Sequence, residues 1–299
     1  MVMFCAVTIG SVSSGVINAY FNFAGWRTVF VAGAVMPLVI LPLLAVWLPE
    51  SAEFLALKSD DHARLGAILA RVNPGQRIDA DARFALDDPG SAGFAVYELF
   101  RDGRAARTIL YWIMMASALI GNYFFLNWLP TLLHGAGITA GEIVQITIAF
   151  QIGAMLGTLI LARLAVTYGP FAVIAGSYFC AALAYLVLSS VGSSFAVMFA
   201  INFFIGAFTI GTQSASNASA AILYPTGIRS TGVGWGLGIG RVGGTLGPSI
   251  AALLVGFGWP MAKLFSIAAL SPFIASCAAV AIAIVLRKAL RQPVPASVT

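Results

Sequence analysis

The chain has 299 residues, only 9% of them charged and 60% hydrophobic, and its 16 basic and 11 acidic side chains leave a formal charge of +5. A soluble domain carries about 25% charged residues, so the shortage excludes a water-soluble globule. The 3 cysteines, and 31 glycines without a three-residue period, exclude a disulfide scaffold and collagen. With a mean hydropathy of +0.94, what remains is an integral membrane protein, whose glycines and prolines suit helices that pack closely and bend in lipid.

A bilayer core of about 30 Å takes about 20 apolar residues as helix. Eight stretches qualify in chain order: 2–21, 28–48, 108–133, 142–162, 170–191, 196–222, 230–257 and 264–286. They are twice the length of a membrane β-strand and apolar on every side, so the predicted fold class is an all-α membrane protein. Between the second and third stretches lies a polar block, 49–107, with ten of the eleven acidic residues and eight of the sixteen basic ones. Within it, Ser59 or Asp60 caps a predicted amphipathic helix carrying Leu65, Ile68, Leu69 and Val72, which Asn73-Pro74-Gly75 stops. A second short helix is predicted through Phe94, Val96, Leu99 and Phe100. Thirteen of the sixteen Lys and Arg fall in 49–107, 163–169, 223–229 and 287–299, which places those segments and both chain ends in the cytoplasm. Met1 opens directly on an apolar run without the basic region of a signal peptide, so no cleaved leader is expected. Cys5, Cys180 and Cys277 lie inside spans and are expected to be buried as small hydrophobes.

Three stretches carry a family resemblance. Gly25-Trp26-Arg27-Thr28-Val29-Phe30 leads into the second span, and Leu48-Pro49-Glu50-Ser51 follows it. Near the other end, Tyr224-Pro225-Thr226-Gly227-Ile228-Arg229 runs on to Gly240-Arg241-Val242-Gly243-Gly244 and Gly247-Pro248. In this order and at these distances they resemble the aromatic acid:proton symporter family of the major facilitator superfamily, around its sixth helix and its tenth-to-eleventh helix region. The resemblance implies the major facilitator fold, with the eight predicted transmembrane helices equivalent to helices five to twelve. Residues 1–48 would be the last two helices of the N-terminal bundle, 49–107 the cytoplasmic inter-bundle loop, and 108–299 the C-terminal six-helix bundle with a short cytoplasmic tail. It implies proton-coupled secondary transport of a small aromatic carboxylic acid by alternating access, as a monomer in the plasma (inner) membrane. Helices one to four would lie outside this chain, which alone is expected to be inactive. The alternatives are a carrier of another metabolite such as a sugar, or a non-functional truncated remnant. The sequence departs from the family at Ala52 and Glu53, where the signature has Pro and Arg. It departs again at Val166-Thr167, where an Asp-Arg pair usually helps latch the cytoplasmic side.

Arg241 is the sharpest candidate. It follows Arg229 by 12 residues, about 18 Å of helix, too deep for easy snorkelling. An Arg at mid-bilayer costs about 2.5–3.5 kcal/mol, so it must face a cavity or a partner. It is either the counter-charge of a carboxylate substrate or a structural bond to a neighbouring helix. Gln213 and Asn217 share a helix face. With Asn122, Tyr123, Asn127 and Gln151 they supply hydrogen-bonding groups that lipid cannot satisfy. These are substrate-binding candidates, with Phe124, Phe125 and Trp128 as stacking rings; the alternative is helix-to-helix bonding. The resemblance adds weight to Gln213. Arg229 and Arg163 are gating candidates at helix junctions. Gly232, Gly236, Gly240 and Gly244, four apart, let two backbones approach, in either a fixed or a moving contact. Glu142 reads as an N-terminal helix charge and His134 as a loop residue. No nucleotide loop, metal-ligand spacing or activated nucleophile is present, so no cofactor, metal or catalytic residue is expected and an enzyme is not. No Asp, Glu or His lies in the middle of a span; the resemblance puts the proton-coupling acid in the first half of the family's fold. The expected partners are the acid, a proton and the lipid bilayer, with no nucleic acid.

Overall fold

The structure is a computed structural model describing residues 27–47, 95–190 and 194–291, together with Gly10, Gly66 and Ile68. Its helices are α1 (Arg27–Trp47), a single turn at Ala95–Glu98, then α2 (Ala105–Gly135), α3 (Ala140–Tyr168), α4 (Pro170–Ser190), α5 (Phe195–Leu223), α6 (Thr226–Gly256), α7 (Met261–Ala268) and α8 (Leu270–Arg291). They fall in two compact units, α1 in one and α2 to α8 in the other.

Helix α1 matches the predicted 28–48 to within a residue, contains Pro37 and Pro42, and exposes Phe30, Leu38, Leu41 and Trp47. The predicted span 2–21, the amphipathic helix at 59–72, the Leu48–Ser51 signature and Cys5 lie outside the described residues, apart from Gly10, Gly66 and Ile68. Among the described residues of the other unit, six helical segments are long and apolar enough to cross a membrane, α7 and α8 together forming the sixth.

The sequence sets the ends of these helices. Asp102 and Gly103 adopt positive φ just before α2. Gly137 turns the chain after it, and Thr139 with Glu142 then forms a reciprocal capping box at the start of α3. Gly169, at φ 86°, ends α3, and Pro170 opens α4 at the position where its missing N–H costs nothing. Extended Tyr224 and Pro225 separate α5 from α6. The predicted single span 264–286 lies within one continuous span, Met261–Lys288, which is locally distorted at Ala269. Pro272 cannot donate to the Ala268 carbonyl, and the Ser271 hydroxyl donates to it instead at 2.8 Å.

Packing is by small residues. Gly153 and Gly157 of α3 lie directly on the α5 backbone at Phe203 and Ala207, with no room for a side chain. Along α6, Gly236 meets the ring of Tyr111, Gly243 the backbone at Ala116, and Gly247 the backbone at Ile120. These pairs advance together, so α2 and α6 run parallel. Helix α8 packs on α4 and α2. Two apolar cores result: one around Leu99, Tyr111, Tyr178, Tyr224 and Ile282, the other around Phe125, Phe150, Tyr185 and Phe265.

Two expectations need correction. Cys180 and Cys277 are exposed, on the outward faces of α4 and α8. A membrane bundle is apolar outside as well as inside, so a hydrophobic position in a span does not imply burial. Arg163 lies within α3, not in a loop, because the helix continues to Tyr168.

Candidate functional site

Gln213 on α5 and Asn217 one turn later form the centre of a polar cluster. Gln213 is 6% exposed. Its Nε2 donates to Asn217 Oδ1 at 3.4 Å and approaches Met115 Sδ of α2 at 3.8 Å. Its Oε1 has no hydrogen-bond partner among the described residues. Asn217 is half-buried at the accessible edge of the pair. Asn122 is buried, and its Oδ1 also lacks a partner among the described residues. It follows Met115 by seven residues and so shares that face of α2 two turns on. The rest of α5 around Gln213 is unusually polar for a buried helix face: Thr209, Thr212, Ser214, Ser216 and Ser219 are all buried. Thr209, Thr212 and Ser216 return their hydroxyls to carbonyls one turn back.

Arg241 sits one residue beyond Gly240, about 100° round α6 from the face that packs on α2. It is exposed, and its guanidinium makes no hydrogen bond or ion pair among the described residues. The free surface of α6 is divided. Val242, Leu246, Ile250 and Leu253 form an exposed apolar side. Arg241, Thr245 and Ser249, spaced by one turn, form an exposed polar side, with Thr245 and Ser249 bonding back to carbonyls one turn earlier. Thr245 and Ser249 are thereby satisfied even in hydrocarbon, but the Arg241 guanidinium would not be, so this side fits a wet surface or a polar partner.

The remaining candidates are spread. Tyr123 is 40% exposed, with its ring against Gly244 on α6. Asn127 is exposed and donates to the Tyr123 carbonyl at 2.8 Å, a bond within its own helix. Gln151 is half-buried on α3. Arg229 is half-buried in the first turn of α6, and Arg163 is exposed near the end of α3. Phe124 and Phe125 are buried in the apolar core. Phe125 is 1% exposed and packs between Phe150, Tyr185 and Phe265. Trp128 ties two helices together through Nε1 donating to the Pro248 carbonyl at 3.1 Å. Sequence reasoning passed over Met115 as one more apolar residue; its four-residue offset from Tyr111 and seven-residue offset from Asn122 were the available signal.

The Major Facilitator Superfamily model matches residues 1–191. The chain belongs to the major facilitator superfamily. It is 33% identical over 282 residues to the gallate transporter of Pseudomonas putida, covering 94% of this chain and 62% of that protein. It is 34% identical over 260 residues to the 4-hydroxybenzoate transporter PcaK of the same organism, covering 86% of this chain and 58% of that protein. The 3-(3-hydroxy-phenyl)propionate transporter of Escherichia coli is 33% identical over 260 residues, with 86% and 55% covered. The chain thus spans less than two thirds of the length of these curated relatives. As a member of this superfamily with six candidate spans among the described residues, it is a multi-pass membrane protein whose relatives are transporters, not enzymes.

Proposed function

We propose that this chain forms part of a secondary transporter for a small aromatic carboxylic acid. The carrying observation is the exposed polar stripe Arg241–Thr245–Ser249 on a helix whose other free side is apolar. A guanidinium on such a stripe offers a bidentate, permanently charged donor for a carboxylate. A neutral sugar has no need of it. The transporters named above support the aromatic acid as substrate class. In this reading Arg241 holds the carboxylate. Gln213 and Asn217, with Asn122, Tyr123, Asn127 and Gln151, supply polar and ring contacts, while Arg229 and Arg163 act at the gate. The helices α2 to α8 correspond to the second six-helix bundle of the superfamily, the run 2–21 to helix five, α1 to helix six, and 49–107 to the loop between bundles. Transport is coupled to protons and proceeds by rocking of the two bundles around a midplane site. The protein works as a monomer in the plasma membrane with both chain ends in the cytoplasm.

The test compares benzoate and 4-hydroxybenzoate with the neutral benzamide, by equilibrium binding to the protein in lipid nanodiscs. Arg241→Gln is expected to weaken both acids about 10–100-fold, the loss of one charge-assisted contact, and to leave benzamide nearly unchanged. Equal losses for acid and amide would make Arg241 structural. Benzamide binding to the unsubstituted protein as tightly as the acids would overturn the substrate class itself.

A further inference from the structure

The glycines of α6 leave one matter open. Because Gly236, Gly240 and Gly244 meet α2 one turn apart, a one-turn slide would exchange glycine for glycine at those contacts, although it would bring Ile239 or Ala251 to a place where Gly243 or Gly247 now meets the α2 backbone. We propose that Val96–Arg104 is a strap that locks the neighbouring ends of α2, α5 and α6 together. Helix α6, with Arg229 and Arg241, then moves with α2 and does not slide along it.

The strap is part of the core. Leu99 has no exposed surface and packs in the cluster that contains Tyr111, Tyr224 and Ile228. Its carbonyl accepts from Thr108 Oγ1 of α2 at 2.7 Å. That same hydroxyl accepts from Tyr224 Oη at 3.3 Å, at the junction of α5 and α6. One buried threonine therefore joins strap, α2 and the α5–α6 connection. Arg104 closes the turn on itself, its guanidinium donating to the Glu98 carbonyl from Nε at 3.3 Å and Nη2 at 3.1 Å.

Ring contacts repeat the link. Phe100 of the strap meets Trp112 of α2 edge-on at 5.4 Å between centroids, and Trp112 stacks on Trp235 of α6 at 5.8 Å. Tyr224 and Tyr111, in contact at 6.2 Å, fill the spaces left by Gly232 and Gly236. A slide of α6 by one turn, about 5.4 Å, would separate Trp235 from Trp112 and pull the α6 start away from Thr108. The glycines at 236, 240 and 244 permit that movement; the strap contacts oppose it, together with the close fit of Gly243 and Gly247 on the α2 backbone.

Hydrogen–deuterium exchange of the whole chain in nanodiscs tests this without reference to transport. Segments 96–104 and 226–236 are expected to be protected in the unsubstituted protein. Thr108→Val, which keeps the shape and removes the hydroxyl, should speed exchange in both segments tenfold or more while α4 and α8 keep their rates. Thr108→Ser should restore the original rates in both. Unprotected exchange at 96–104 in the unsubstituted chain would overturn the strap, and acceleration at 96–104 alone would overturn the lock on α6. If Thr108→Val does not fold, Tyr224→Phe decides: it removes only the link to Thr108, and an unchanged rate at 226–236 would sink the proposal.

Discussion

Glycine in this protein acts through what its missing side chain lets in, and neighbouring positions differ sharply. A Cβ at Gly243 would lie 2.5 Å from the Ala116 carbonyl oxygen and 3.1 Å from Ala116 Cα, both backbone atoms that cannot swing aside. A Cβ at Gly176 on α4 would meet nothing within 4 Å. Gly243→Ala should therefore force α6 away from α2 and destabilise the fold by about 1–3 kcal/mol, the usual cost of overpacking. Gly176→Ala should be neutral, or stabilise by up to about 1 kcal/mol through helix propensity. Thermal unfolding in detergent separates the two, and a neutral Gly243→Ala would show that α2 and α6 are not in backbone contact. The same scale marks the limit of sequence reading at the candidate site. Arg241, Gln213 and Asn217 were identifiable because a charge or amide inside an apolar run has few explanations. Phe125 was not, because an aromatic ring reads the same whether it lines a cavity or fills a core.

Helix existence was legible and helix ends less so. Length and hydropathy located α1 to α6 within a few residues, since a membrane helix must be long and apolar whatever it packs against. The end of α3 was missed because Arg163 resembles a loop residue by charge, yet a helix end at a membrane boundary tolerates charge without unwinding. The single span over α7 and α8 was legible, but its local distortion at Ala269 was not foreseen although Pro272 stood in the sequence, because proline often bends a membrane helix without ending it. Here the Ser271 hydroxyl takes over the carbonyl that Pro272 abandons, and Gly121 of α2 lies close against Ser271. Ser271→Ala should leave the Ala268 carbonyl unsatisfied in a buried place, at a cost of about 1–3 kcal/mol. The loss is readable as a lowered unfolding temperature, and Ser271→Thr should recover only part of it because its extra methyl meets Gly121. At the start of α3, Thr139→Ala removes the capping box and should cost about 0.5–2 kcal/mol. Its effect should be confined to faster amide exchange over the first turn of α3; loosening of the whole helix would point to a different role for Thr139.

At the scale of the molecule, the alternating directions of the helices make a claim about the bilayer that single-cysteine labelling can test. Ala106 is exposed near the start of α2 and Ala140 is exposed at the start of α3; the 31-residue helix between them is about 46 Å long, enough to cross. In the orientation proposed from the distribution of Lys and Arg, Ala106 is on the cytoplasmic side. In intact cells, with the native cysteines changed to serine, Ala140→Cys should react with a membrane-impermeant maleimide and Ala106→Cys should not. On inside-out vesicles the pattern should reverse. The native cysteines supply an internal control, because Cys180 and Cys277 are exposed on faces that meet lipid. A thiol surrounded by hydrocarbon is poorly ionised and out of reach of a charged reagent. In the otherwise native protein both should stay unlabelled from either side and react once the membrane is dissolved and the chain unfolded. Labelling of Ala106→Cys and Ala140→Cys from the same side would mean that α2 does not span. Ready labelling of Cys180 or Cys277 from water would mean that those faces line an aqueous surface, and the outward side of the bundle would then have to be reassigned.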